Sequence, residues 1–274
     1  LEWLDARDIL RTDDTYRDAV VDWEYSQQQA RAKMLGLLQE GNKILTQGFI
    51  GATADNTSVT LGREGSDYTA AMLAAMLGGK SVTIWKDVPG VLNADPKWFE
   101  NTVKINELTY HDAIELTYYG ATVIHPKTIK PLQNKNIPLY VRSFIKPDDE
   151  GTIVKDVKKR LPIPSFIFKV NQVLISIQPK DFSFIVEENL SNIFAILAQQ
   201  NIKVNVMQNS AISFSMSVDE DENKINALLI NLQNNFKVLF NRGLQLITIR
   251  HYNQGIIDRL TKDKDILLRQ ISRN

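Results

Sequence analysis

The sequence predicts an α/β fold in two parts, a partial α/β sandwich followed by smaller ferredoxin-like α+β units. Three observations predict it. Strand-like and helix-like segments alternate as far as Val154, the texture shifts at the charged, proline-bearing stretch KDVKKRLP, and the remainder of the chain runs β-α-β-β-α-β. With 274 residues and 43% hydrophobic content, the chain buries a large core and suits two domains better than one.

From the N-terminus, LEWLDARDIL and an acidic turn come first. Glu24 to Glu40 then has helical composition, and Gly41-Asn42 stops it before the strand KILTQGFI. GATADNTS reads as a polar turn. In TLGREGSDYTAAMLAAMLGG a charged, glycine-flanked segment opens an Ala-rich helix closed by Gly78-Gly79, and the strand SVTIW comes next. Strand, loop, helix and strand describe a βαβ-like unit. Thr109 with Asp112 resembles a capping box before AIELTYYG, and IPLYVRSF is a further strand. Beyond the linker come a strand FIFKV entered through Pro164, a strand QVLISIQ and a helix NLSNIFAILAQQ. Strands IKVNVMQ and AISFSMSVD, a helix NKINALLINLQNN, and a strand pair FKVLF and LQLITI complete the pattern. The tail after Arg250 is expected to complete another module.

Several function classes are excluded. A net charge of zero implies no broad polyanion-binding surface, so nucleic acid is not an expected partner. There is no cysteine, and the three histidines are scattered at 111, 125 and 251, which argues against a zinc site. No apolar run reaches membrane-spanning length and no signal-peptide pattern opens the chain, so a soluble, cytoplasmic protein is expected.

The candidate ligand-binding residues lie at two strand-to-loop junctions. Gly62 and Gly65 let backbone approach a ligand, and amides at a helix start attract anions. Ser66 sits where an N-cap belongs, and Asp67 falls in the first turn, where its charge favours the helix dipole. Arg63 is not explained by the dipole; its guanidinium offers a planar fork for a carboxylate or a phosphate. Lys86, Asp87 and Lys97 come from IWKDVPGVLNADPKW, a loop leaving a strand end. Such lysines can contact nucleotide phosphates, while Asp87 suits a ribose, a magnesium-bound water or a neighbouring amide. Neither segment is a Walker motif. These residues alone indicate an anion-binding α/β enzyme with a regulatory module.

TLGREGSDYTAA, SVTIWKDVPGVLNADP, YHDAIELTYYGATVIHPKTIKPL and IPLYVRSFIKPDDEGT, in that order and spacing, resemble the ATP-facing half of an aspartokinase. DFSFIVEENLSNIFAILAQQNIKVNVMQNSAISFS and LQLITIRHYNQG resemble the ACT regulatory domains of that family. The resemblance implies a partial amino-acid-kinase sandwich over residues 1–154, a linker over 155–162 and a first ACT domain over 171–242. A second, nested and incomplete ACT unit is expected from residues 163–170 and 243–274. It implies transfer from MgATP to L-aspartate, giving 4-phospho-L-aspartate on the route to lysine, threonine and methionine. ATP and Mg2+ are the implied cofactors, lysine or threonine the effector, and a homodimer through the ACT domains the assembly.

Residue by residue, Arg63 resembles the arginine that holds the substrate carboxylate, with Ser66 and Asp67 in the same pocket. Asp87, Lys97, Lys86 and Thr122 fall on the nucleotide side. Lys86 stands where the family often has threonine, and Thr122 in GATVIHP replaces a lysine associated with ATP. A threonine donates one hydrogen bond but cannot neutralise phosphate charge, so weakened nucleotide binding is expected. His125 reads as a structural hydrogen-bonding residue, because the implied chemistry needs no base. Asn205, Gln208, Asn209 and Ser210 are the candidate effector contacts, with turn capping in a dimer as the competing reading. The family's opening Lys-Phe-Gly-Gly segment has no counterpart here, so a preceding segment is expected and residues 1–274 alone are expected to be inactive. Two other readings stay open: another amino-acid kinase of the superfamily, and a noncatalytic, effector-binding, oligomerising protein.

Overall fold

The computed structural model describes residues 1–271 apart from Tyr16, residues 119–122, residues 158–162 and Phe182. Two units result, Leu1–Ile163 and Pro164–Asn274. The first unit runs β1 (Glu2–Trp3), a 3-10 turn (Ala6–Asp8), α1 (Trp23–Gln39), β2 (Ile44–Leu45), β3 (Ile50–Ala52), β4 (Ser58–Thr60) and α2 (Gly65–Leu77). It continues through β5 (Val82–Lys86), β6 (Glu107–Leu108), α3 (Tyr110–Tyr118), α4 (Pro126–Lys135), β7 (Leu139–Ser143) and β8 (Thr152–Val154).

Helix α1 starts where Asp22 accepts a hydrogen bond from the Tyr25 amide (3.1 Å), and the chain leaves it through Gly41 at φ +84°. Its Ala30 and Met34, four residues apart, share a core with Ile9, Leu10 and Leu61 and with Met72 and Met76 of α2. The Ala/Met run is therefore a packing face. At the start of α3, the Thr109 hydroxyl accepts from the Asp112 amide (3.0 Å), as a capping residue should.

Strands β5, β7, β8 and β6 form one sheet in that order, with β5 parallel to β7 and β7 antiparallel to β8. Val82 and Ile84 of β5 and Leu139 and Val141 of β7 point into the core, the period-two pattern of a half-buried sheet. The expected strand KILTQGFI is broken: β2 pairs with β1 and β3 with β4, in two small sheets. Phe49 between them takes a left-handed φ of +74°, which no strand tolerates. Gly51, Ala52 and Ser58, expected in a turn, belong to the β3–β4 hairpin. The βαβ order holds, although the strands flanking α2 belong to different sheets.

The second unit contains β9 (Ser165–Pro179), α5 (Glu187–Gln199), β10 (Val204–Asn209), β11 (Phe214–Asp219), α6 (Glu222–Asn235), β12 (Phe236–Arg250) and α7 (Gln254–Thr261). Strand order β10-β11-β9-β12, antiparallel throughout, is the ferredoxin-like arrangement of a β-α-β-β-α-β chain. Ile193 and Leu197 of α5 and Ile225, Leu228 and Leu232 of α6 close over Val173, Ile175, Ile177, Phe214, Met216 and Val218. FIFKV and QVLISIQ, expected as separate strands, are one strand, β9; FKVLF and LQLITI likewise join as β12. The joins show as register shifts between Asn241 and Leu246, around Gly243 at φ +67°. Among the described residues no helix is long and apolar enough to cross a membrane.

Thr152, fully buried, pins both ends of the loop between β5 and β6. Its hydroxyl donates to the Ile105 carbonyl (2.6 Å) and accepts from the Val91 amide (2.8 Å). Thr152→Val keeps the shape and strands both groups, so urea denaturation of the first unit should show a loss of about 2 kcal/mol. A loss below about 0.5 kcal/mol would show that water satisfies both groups instead.

Candidate active site

The turn entering α2 carries most of the predicted site, and its backbone is unusual. Gly62 has φ +80°, and a Cβ there would lie 2.7 Å from the Arg17 carbonyl and 3.0 Å from Asp18 Oδ1. Only glycine fits. Glu64, at φ +56°, is the residue from which α2 starts, and its side chain makes no capping bond. Ser66 is thus inside the helix rather than at its cap; its Cβ packs where a Cβ on Gly48 would come within 2.8 Å. Together with Phe49, three left-handed residues converge on the mouth of α2, and the two that are not glycine, Phe49 and Glu64, carry strain of the kind that collects at functional sites.

Three charges meet there. Lys86, the last residue of β5, places Nζ 2.8 Å from Glu64 Oε2 and 2.9 Å from Asp67 Oδ2. Burial pushes the Glu64 carboxyl up, but the Lys86 hydrogen bond and neighbouring charges outweigh it and hold Glu64 below the usual value. Burial, reinforced by Glu64, holds Asp67 above the usual value in spite of Lys86. Burial also opposes the charge on Lys86, yet its two acidic partners raise its pKa. Arg63, next in the turn, is exposed and makes no hydrogen bond or ion pair among the described residues.

The start of α4 closes the other side. His125 caps it, its Nδ1 accepting from the Lys127 amide (3.2 Å), and Lys127 pairs with Asp18 in the loop that packs on Gly62. Burial lowers the His125 pKa, and the positive charges of Lys127 and Arg63 lower it further. His125 is a neutral cap near Arg63, in keeping with a structural role.

The structure thus brings Arg63, Ser66, Asp67 and Lys86 together. Asp87 comes directly after, exposed, while Lys97 stands on the exposed loop and, among the described residues, bonds through its amide, to Asp95 Oδ1 (2.9 Å). Thr122 lies outside the described residues. Sequence reasoning misses Glu64; the available signal is an acid flanked by Gly62 and Gly65 in a turn, with a lysine ending the next strand. Among the described residues no group of three His, Asp or Glu side chains is arranged to hold a metal ion.

In the second unit the effector candidates separate. Asn205 is tied into a network: it accepts from Lys169 Nζ (2.8 Å) and donates to Gln172 Oε1 and Asp219 Oδ1 (2.8 Å each). Burial raises the Asp219 pKa, but hydrogen bonds from Gln172 and Asn205 bring it below the usual value. Gln208, Asn209 and Ser210 lie at the opposite end of β10, exposed, with Ser210 Oγ bonded within the turn to Ser213 Oγ (2.6 Å).

Against known proteins, the model of the amino acid kinase family matches residues 4–143. Lysine-sensitive aspartokinase 3 of Escherichia coli is 33% identical over 256 residues, covering 90% of this chain and 57% of that protein. The crystal structure of E. coli aspartokinase III with aspartate and ADP superimposes with a TM-score of 0.76 at 32% identity, covering 90% of this chain and 57% of that one. The E. coli enzyme in complex with lysine and aspartate gives a TM-score of 0.75 at 32% identity, with 90% and 56% covered. This chain therefore spans somewhat more than half the length of these relatives. The family match takes in the whole turn from Gly62 to Asp67, Lys86 and the start of α4, more than half of the 274 residues. The chain belongs to the amino acid kinase family.

Proposed function

We propose that the whole protein to which residues 1–274 belong is an aspartate kinase that forms 4-phospho-L-aspartate from L-aspartate and ATP, for the synthesis of lysine, threonine and methionine. The observation that carries this reading is Arg63. It is an exposed guanidinium with its donors uncommitted among the described residues, in a rigid turn beside a cluster of fixed charges. A related enzyme is known in complex with aspartate and ADP.

Arg63 holds the α-carboxylate of aspartate through its planar fork, and Ser66 and Asp67 shape the same pocket. The β-carboxylate is already ionised at neutral pH, so no general base is needed. One of its oxygens bonds to the γ-phosphorus as the bond from that phosphorus to the bridging oxygen breaks, and ADP leaves with that electron pair. The turn contributes orientation and electrostatics. Asp87 and Lys97 stand on the nucleotide side. Mg2+ travels with nucleotide phosphates in such reactions; among the described residues no three His, Asp or Glu side chains are grouped to hold it by themselves.

The second unit serves as an ACT-type regulatory region and dimer contact, with residues 171–242 as one ACT domain and residues 163–170 and 243–274 as part of a nested second. Gln208, Asn209 and Ser210 supply exposed polar groups for the ammonium and carboxylate of lysine or threonine, while the Asn205 amide is committed to Lys169, Gln172 and Asp219. A complex of the E. coli relative with lysine supports lysine first.

Aspartate-dependent ADP release should appear in the whole protein and should fall as lysine or threonine is titrated. Silence from the whole protein would favour a noncatalytic, effector-binding role. Arg63→Ala should raise the KM for aspartate about 30-fold or more, the loss of a charge-assisted pair, with the KM for ATP within about twofold. Equal changes in both would remove Arg63 from the aspartate pocket. Thr122→Lys should tighten ATP binding in calorimetry by about tenfold, the gain from one added charge contact. Unchanged affinity would count against Thr122 as a weak point on the nucleotide side.

A further inference from the structure

The proposed reaction gives Glu64 no task, and Lys86 no more than an expected place on the nucleotide side. A glutamate at φ +56° is disfavoured by roughly 1–2 kcal/mol against an ordinary helical or extended conformation, and Glu64 gains no capping bond in return. Its carboxylate turns to Lys86 instead, at 2.8 Å. Such strain persists only where the surroundings hold it, and it concentrates where it serves function.

Lys86 is held from two sides. An ammonium has three N–H donors; Glu64 takes one in a hydrogen bond, Asp67 Oδ2 is held at 2.9 Å as an ion pair without a hydrogen bond, and donor capacity is left. The side chain is only 18% exposed, so a lysine that would ordinarily swing on a four-carbon stem is a fixed charge here. It ends β5, which is parallel to β7, and open α/β sheets receive ligands at the carboxyl ends of such strands. The first amides of α2 open beside it and add positive potential. A preoriented cation at that point stabilises developing negative charge without reorganisation.

We propose that Lys86 is a catalytic residue whose remaining N–H meets a non-bridging oxygen of the phosphoryl group in transfer, with Glu64 as its positioning residue. No proton moves in this contact. The inference rests on the aspartate-kinase reading.

The test uses the whole protein with Lys86→Met, Lys86→Arg, Glu64→Gln and Glu64→Gly. Lys86→Met should lower kcat about 100-fold or more with the KM for aspartate within about twofold, and Lys86→Arg should restore part of the loss. Glu64→Gly relieves the backbone strain, so its Tm should match or exceed the parent's while kcat falls about tenfold. Glu64→Gln keeps the side-chain length and should lose kcat to a similar degree. Loss of Tm with kcat per folded molecule unchanged would show that the ion pairs only stabilise the turn, and would overturn the proposal. If the parent releases no ADP with aspartate, the aspartate-kinase reading fails by itself. Calorimetry of residues 1–274 with inorganic pyrophosphate and with ADP then decides on Lys86. Binding at least tenfold weaker in Lys86→Met supports the anion contact, and equal binding, or none in either form, overturns it.

Discussion

Lys86 lies between Glu64 and Asp67, and this three-charge contact is the constraint around which the first unit's site is arranged. It joins the end of a sheet strand to the first turn of a helix. Two acids and one base leave an excess negative charge, and burial makes that arrangement expensive unless the ammonium stays in place. The raised pKa of Asp67 expresses the tension, since burial, reinforced by Glu64, opposes its charge and Lys86 offsets only part of that. Arg63, one residue before Glu64, is then the cation in the turn without a hydrogen bond or ion pair among the described residues, and it faces outward.

The elements behind the turn explain why it holds. Helix α2 is fixed by Met72 and Met76, which are buried with α1 and the chain around Leu10, and by the buried Ala71 and Ala75. Small and flexible side chains on that face let the helix pack closely, so its first turn has little freedom. Close contacts at Gly48 and Gly62 press the neighbouring loops onto the same turn. Thr152 does the corresponding work for the loop after β5, anchoring the segment that carries Asp87 and Lys97 to the sheet.

Much of this arrangement is legible in the sequence. The limits of α1 come from its composition and from Gly41-Asn42, and the close of α2 from Gly78-Gly79; the structure starts α1 one residue earlier and gives Gly78 a φ of +70°. The β-α-β-β-α-β order of the second unit is readable because each strand alternates and each helix carries an apolar stripe. The parts that are not readable depend on tertiary contact. KILTQGFI reads as one strand, and only the left-handed turn at Phe49, beside the approach of Gly48 to Ser66, breaks it. Ser66 looks like a cap, but the helix starts from a strained glutamate for which local propensity gives no hint. Turn-formers at Asn171 and Gly243 suggest separate strands on either side, whereas β9 and β12 stay paired beyond them, with register shifts between Asn241 and Leu246.

The same contrast bears on charge at the nucleotide side. The family resemblance puts a lysine where this chain has Thr122, and a threonine where it has Lys86, so the chain has one cation fewer at one position and one more at another. Stabilising a phosphoryl group in transfer depends on a fixed positive charge reaching it, not on which strand or loop supplies that charge. An unclamped lysine at the end of β5 would trade contacts between solvent and its two acidic neighbours. Clamped by a glutamate that accepts backbone strain to be there, it offers a donor in one direction. On the kinase reading, Glu64 and Lys86 act as one unit: the acid fixes where the base points, and the displaced cation works because its position is set in advance.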